Sequence, residues 1–350
     1  TASNLTLDEA RIGSHSAVIH TVANRQGITL AMVTPDGRTT RVTIRVDRDR
    51  LVAVSRQLFA DLSDPTQVGR TEYLEAARQL YDWLVRPLEA ELAAQQIETL
   101  MFQIDPSLPA IPISVLHDGD RFLVERYSLS LVPSITLVET PYRPLSEARV
   151  LVMGASEFVD RPNLPSVDRE LRAIADITNA DGFFLNQAFT FENFTHLRRQ
   201  LNPDIVHLAT HAEFVPGAPQ ASYIQFWDGP VTLDRLHQLD LDLELLVLGA
   251  CETAFGTAAA RVGFAGVAHT LGAKSGLASQ WRADDAATSA LTVEFYRQLR
   301  DPSVFTKAEA LRRSQLAALE GRLSARGDRD AAVLAHPHFW GTFTLVGSPW

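Results

Sequence analysis

The chain has 350 residues, 46% of them hydrophobic and 21% charged, an ordinary globular composition with length for two cores or for one large domain and an extension. A net charge of −10 leaves no basic stripe to neutralise phosphates, which argues against a general nucleic-acid binder. The single cysteine excludes an internal disulfide and fits a reducing, cytoplasmic compartment, and the longest apolar runs, such as residues 28–33 and 243–250, are too short to cross a bilayer.

The first residues, TASNLTLDEA, carry neither Met nor an apolar signal core, and read as a cut inside a longer protein. Residues 27–47 alternate apolar and polar side chains around Pro35-Asp36-Gly37, which predicts a β-hairpin. Two amphipathic helices follow, RDRLVAVSRQLFADL and YLEAARQLYDWLVRPLEAELAAQ. ETLMFQID reads as a buried strand, and RFLVERYSLSLVPS as one or two more. These elements form a first α/β region over residues 1–145.

A second region, 146–350, alternates strands with helices. ARVLVMGAS is a continuous apolar strand. Helix VDRELRAIADIT precedes strand GFFLNQ, and helix TFENFTHLRRQL precedes strand DIVHLATH. SYIQFWD, the short helix TLDRLHQL and strand LELLVLGAC come next. Beyond the cysteine stand helix GFAGVAHTLGA, strand KSGLASQW, two helices over DDAATSALTVEFYRQLR and VFTKAEALRRSQLAALEG, and a last strand, WGTFTLVG. Apolar strands alternating with helices specify an α/β fold with a mainly parallel sheet covered on both faces. Sites in such sheets lie beyond the carboxyl ends of the strands.

Two predicted strands end in reactive side chains: DIVHLATH at His211 and LELLVLGAC at Cys251. If the strands are parallel, an imidazole and a thiol reach the same edge. A thiol is only a few per cent thiolate at neutral pH, so an imidazole that takes its proton makes it a nucleophile for a carbonyl carbon. The amides of Ala212 and Cys251 are candidate donors to the oxyanion. The competing reading of a lone cysteine is a small buried hydrophobe.

The segments DIVHLATHAEF, LVLGACETAFG, GLASQWRADDAAT and HPHFWGTFTLVG, in this order, resemble the CHAT family, caspase-like cysteine peptidase domains commonly fused to tetratricopeptide repeats in bacteria. LYDWLVRPLEAEL, IPISVLHDGDRFLVERYSLSLVPS and LPSVDRELRAIA extend the likeness over nearly the whole chain. The resemblance implies a three-layer caspase-like fold, with His211 as general base, Cys251 as nucleophile, and an N-terminal α/β extension similar to an inactive caspase-like half. It implies a cysteine endopeptidase acting on a protein or peptide substrate, controlled by an upstream tetratricopeptide-repeat region or a regulatory protein, with no metal or organic cofactor and no membrane or nucleic-acid partner. The alternative is a catalytically silent or partner-gated interaction module.

Two positions depart from the family pattern. Ala212 follows the histidine where the family has glycine, which puts loop geometry in question, and Ala254 stands where glycine is usual.

In the implied cleft, Trp281 is expected to give an apolar wall and Arg282 to pair an acidic substrate group. Asp284 and Asp285 are expected either to receive a basic one or to cap a helix. Glu213, Asp228 and Glu252 are expected in loops on the same rim. His207 and His211 resemble a His-x-x-x-His metal motif, but on a strand they stand roughly 13 Å apart, so His207 reads as a satisfied core histidine. Gly272 reads as a helix terminator, and Lys274, Ser156, His336 and His338 as structural.

Overall fold

The computed structural model describes residues 15–24, 26–133, 145–180, 182–213, 215, 218, 220–239, 241–251, 268, 271–282, 284–323 and 331–350, with Ala250 and Cys251 described by backbone alone. The N-terminal region supplies strands β1 (Ser16–Asn24), β2 (Gly27–Val33), β3 (Thr39–Ile44), β4 (Thr99–Gln103) and β5 (Ser128–Leu131). Its helices are α1 (Arg48–Ser63), α2 (Tyr73–Leu84), α3 (Glu89–Ala94) and the single turn α4 (Leu123–Arg126). The expected hairpin forms, with Val33 opposite Thr39 and Gly37 at φ 78° in the turn. The long helix expected after Tyr73 breaks into α2, a 3₁₀ turn over Arg86–Leu88 and α3, because Pro87 cannot continue the hydrogen-bond ladder.

The second region supplies β6 (Val150–Gly154), α5 (Val167–Thr178), β7 (Phe183–Leu185), α6 (Phe191–Leu201) and β8 (Ile205–Glu213). After these come β9 (Tyr223–Phe226), β10 (Gly229–Thr232), α7 (Leu233–His237), β11 (Leu245–Cys251) and β12 (Ser275–Ser279). The chain closes with α8 (Asp285–Leu299), α9 (Lys307–Leu319), the short α10 (Ala331–Leu334) and α11 (Pro337–Trp340), and β13 (Phe343–Gly347). Of the helix expected over residues 263–273, seven of eleven positions lie outside the described residues, and residues 271–273 form a turn and a bridge. Gly272 has φ 79°, as its expected terminating role requires.

One mixed sheet runs through both regions in the order β10-β9-β8-β11-β12-β13-β5-β4-β1-β2-β3, with β6 beside β8 and β7 outside β6. Strands β6, β8, β11 and β12 are parallel, so all four carboxyl ends meet one edge. β13 returns antiparallel to β12 and joins β5 of the N-terminal region. Every residue of β6, and every residue of β8 before Glu213, is buried, as expected for strands covered on both faces. On one face α5 packs on α8, and α8 on α9.

Behind this layer, the buried Lys307 at the start of α9 donates from Nζ to the Glu244 carbonyl at 3.1 Å, while Lys274 Nζ pairs with Glu244 Oε1 at 2.9 Å. Burial, with Lys274 beside it, pushes the Lys307 ammonium down to about 7, against the pull of Glu244. The unfolded lysine holds its proton up to its ordinary range near 10.5, so between these values the unfolded state binds more protons and stability rises with pH. Lys307→Met is therefore expected to be more stable relative to wild type at pH 7 than at pH 10, in urea titrations at both. A pH-independent difference contradicts this assignment. The Glu244 carbonyl keeps a partner in the variant, the Ser275 hydroxyl at 3.0 Å.

Candidate active site

His211 lies two positions before the end of β8 and is 2% exposed. Its Nε2 stands 2.8 Å from the Pro162 carbonyl oxygen. That oxygen can only accept, so Nε2 carries the hydrogen and Nδ1 of the neutral ring keeps its lone pair. Nδ1 has no hydrogen-bond partner among the described residues. The Phe158 ring covers the imidazole, with centroids 4.5 Å apart.

The loop after β6 delivers both contacts. Gly154 ends β6 against β8, where an added Cβ would sit 2.4 Å from the Ala209 carbonyl oxygen, so no other residue lets the strands approach so closely. Ala155 N–H then donates to that carbonyl at 3.0 Å. Ser156 N–H donates to Asn186 Oδ1 at 2.8 Å and Phe158 N–H to Asn163 Oδ1 at 2.9 Å, fixing the loop on both sides.

Cys251 is the last residue of β11, and its backbone is in register with Ala212, while His211 is in register with Ala250. The reactive residues are thus diagonal neighbours on adjoining parallel strands. The register shifts between Leu248 and Ala250, where β8 uses one more residue than β11. Such a bulge sets the strands out of step and re-aims side chains, a device common beside active sites. The bulge, rather than the regular pleat, therefore governs how the two strand ends meet.

Ala212 is a strand residue, in register with Cys251 on one side and Ile224 of β9 on the other, with ordinary negative φ. The missing glycine has no conformational consequence here. Cys251 is still a strand residue, and the residues directly after it lie outside those described.

The expected pocket residues separate. Trp281 does not wall an open cleft: it is 3% exposed, donates its indole N–H to the His338 carbonyl at 2.9 Å and packs edge-on to Phe59 of α1. Arg282 is exposed. Asp284 caps α8 by accepting from Ala287 N–H at 3.0 Å, and Asp285 accepts from Ser166 N–H at 2.7 Å, so both have structural partners. Burial pushes the Asp285 carboxyl up, and its hydrogen bonds to Ser166 oppose this. Glu213 is exposed on the rim and accepts from the Tyr223 hydroxyl at 3.0 Å, and Arg161 donates to the same hydroxyl. Asp228 accepts from Phe191 N–H at 3.1 Å and also borders a cavity of about 850 Å³ with Phe158, Asp160, Arg161 and Trp227. Glu252 lies outside the described residues.

His336 and His338 pack as expected, with ring nitrogens on the Arg70 and Leu62 carbonyls at 3.1 and 2.7 Å. His207 is fully buried but lacks the hydrogen-bond partners expected of a satisfied core histidine, among the described residues. Sequence reasoning missed Pro162, which contributes only a backbone oxygen, and Phe158.

Asp284→Ala is expected to cost about 1 kcal/mol, the usual loss for a helix cap. Chemical denaturation measures this, and the rate of Cys251 alkylation in the folded protein should stay unchanged. A change in alkylation without loss of stability would return Asp284 to the substrate cleft.

The family model for the CHAT domain matches residues 74–348. No curated protein matches the chain. Among solved structures, the fold is similar to Saccharomyces cerevisiae separase in its complex with securin, with a TM-score of 0.57 and 11% identity over 97% of this chain and 30% of that one. It is also similar to the Arg-specific cysteine proteinase gingipain R, with a TM-score of 0.50 and 12% identity over 86% of this chain and 74% of that one. The complex of Porphyromonas gingivalis RgpB pro- and mature domains gives 0.52 and 10%, over 86% and 76%. This chain thus spans less than a third of the separase chain. These caspase-like proteases share the α/β architecture of a mainly parallel sheet between helices, and the family match covers most of the sequence: the chain belongs to the CHAT domain family.

Proposed function

We propose that this chain is a cysteine endopeptidase in which Cys251 is the nucleophile and His211 the general base. The observation that carries the reading is the Pro162 hydrogen bond, which leaves His211 Nδ1 as a buried proton acceptor on the strand adjoining that of Cys251. In this scheme the thiol gives its proton to Nδ1 and the thiolate attacks the scissile carbonyl carbon. The carbon–nitrogen bond breaks as the imidazolium returns that proton to the leaving amine, giving a thioester. Water, deprotonated by the same nitrogen, then cleaves the thioester and the thiol regains its proton. The Pro162 carbonyl accepts from Nε2–H throughout and stabilises the imidazolium. The amides of Ala212 and Cys251 are the proposed oxyanion donors, and loss of one such donor typically costs about 2.7–4 kcal/mol.

The substrate in this reading is an extended protein segment that approaches along the cavity beside Phe158, past Glu213, Asp228 and Arg282. The separase neighbour is held by securin, which favours a protein regulator for this chain too, an upstream tetratricopeptide-repeat region or a separate protein. One observation supports the partner-gated alternative: His211 is only 2% exposed, so the rim must open before a peptide reaches it. Residues 146–350 are the proposed catalytic region, and residues 1–145 the non-catalytic partner of its sheet.

A positional-scanning peptide library assayed on wild type, Cys251→Ala and His211→Ala tests the proposal. Wild type is expected to cleave, Cys251→Ala to be silent, and His211→Ala to fall by about 10²–10⁴-fold. Cleavage that survives Cys251→Ala contradicts the reading. Silence of all three, with Cys251 no more reactive than a buried thiol, favours the gated module.

A further inference from the structure

A group of buried polar side chains, unused by the proton-transfer scheme, lies beside the register shift between β8 and β11. Glu170, in the first turn of α5, is 3% exposed. His207, four positions before His211 on β8, is fully buried. Glu170 Oε1 lies 3.2 Å from His207 Nε2 without hydrogen-bond alignment. Among the described residues neither His207 nitrogen, nor this oxygen, has a hydrogen-bond partner. Tyr296 of α8 sets its ring edge against His207 at 5.6 Å, and its buried hydroxyl lacks a partner in the same sense. Charged groups that couple to this set are Asp285, whose carboxyl Glu170 pushes up, and Arg300, whose guanidinium acts on Tyr296.

Gly249 closes the group from β11. A Cβ there would lie 3.1 Å from Glu170 Oε1 and 3.6 Å from the Ala209 Cβ. Gly249 is the residue inside the register shift, two positions before Cys251. A methyl group there would crowd the carboxylate by a few tenths of an ångström. An isolated carboxylate is costly in so dry an interior, and Glu170 is kept there with the His207 ring 3.2 Å away.

We propose that Glu170, His207 and Tyr296 are positioning residues: the carboxylate, backed by the imidazole and the tyrosine ring, packs at Gly249 and fixes the bulge that brings the ends of β8 and β11 together. The proposal rests on the peptidase reading above. A role in packing alone would lower stability and leave the chemistry of the folded protein untouched.

The test is the pH-dependent rate at which a thiol-reactive peptide electrophile labels Cys251 in the full chain, compared at a temperature where thermal unfolding shows each variant folded. Gly249→Ala and Glu170→Ala are each expected to slow labelling about tenfold to a hundredfold, as small misplacements of reacting groups do. The double variant is expected to lose less than the two combined, because removing the carboxylate makes room for the methyl group. Glu170→Gln keeps the shape without the charge and is expected to shift the pH at which labelling rises; it carries the test if an alanine variant unfolds. Wild-type labelling in the folded single variants, fully additive losses, or an unshifted Glu170→Gln profile overturns the proposal. His211→Ala is the reference. If it labels like wild type, the dyad reading falls and the positioning role with it; if it slows labelling while the Glu170 variants do not, only the positioning role is overturned.

Discussion

A single backbone acceptor organises the candidate site. The Pro162 carbonyl takes the Nε2 hydrogen of His211, and this settles which ring nitrogen is left basic. A side-chain carboxylate in that position would add a charge to a pocket that is nearly dry; a peptide carbonyl orients the ring and stabilises its protonated form without one. The bond is only as firm as the loop that presents it. That loop is held by Gly154 against β8, by Ala155 on the Ala209 carbonyl, and by Asn186 and Asn163 on the amides of Ser156 and Phe158.

The sheet turns this local geometry into a two-strand site. Parallel pairing of β6, β8 and β11 puts the Pro162 loop, the histidine and the cysteine at one edge, in neighbouring positions across the sheet. Side chains on both faces of β8 are buried, so the register of its carboxyl end is specified along its length. The departure from regular register falls where α5 sends Glu170 against Gly249, so the irregularity coincides with a contact that a larger side chain would crowd.

Much of this was legible in the sequence. Continuous apolar runs predicted β6, β8, β11 and β12, and the placement of His211 and Cys251 at strand ends followed from them. The cap at Asp284 was legible because an acid before a helix has one common use. β1 was not, since Ser16, His20, Thr21 and Asn24 break both the alternating and the apolar pattern. Thr21 is buried only because its hydroxyl accepts the Asp105 amide, a tertiary contact at 2.8 Å. Trp281 misled for a similar reason: its strand-end position pointed to the cleft, but Phe59 and the His338 carbonyl hold it in the core. Pro162 was beyond reach, because a main-chain oxygen leaves no residue-type signal, and the bulge arises from the pairing of two strands rather than from either one.

The central claim is that the His211 hydrogen sits on Nε2, so that Nδ1 is the nitrogen left to take the thiol proton in the proposed dyad. Nitrogen-15 NMR of the histidine side chains, in wild type and Cys251→Ala, reads this directly. The account predicts that the neutral His211 ring carries its hydrogen at Nε2 and is bare at Nδ1, with an Nδ1 resonance that moves when the thiol is removed. A ring protonated at Nδ1, or a His211 resonance indifferent to Cys251→Ala, would contradict it.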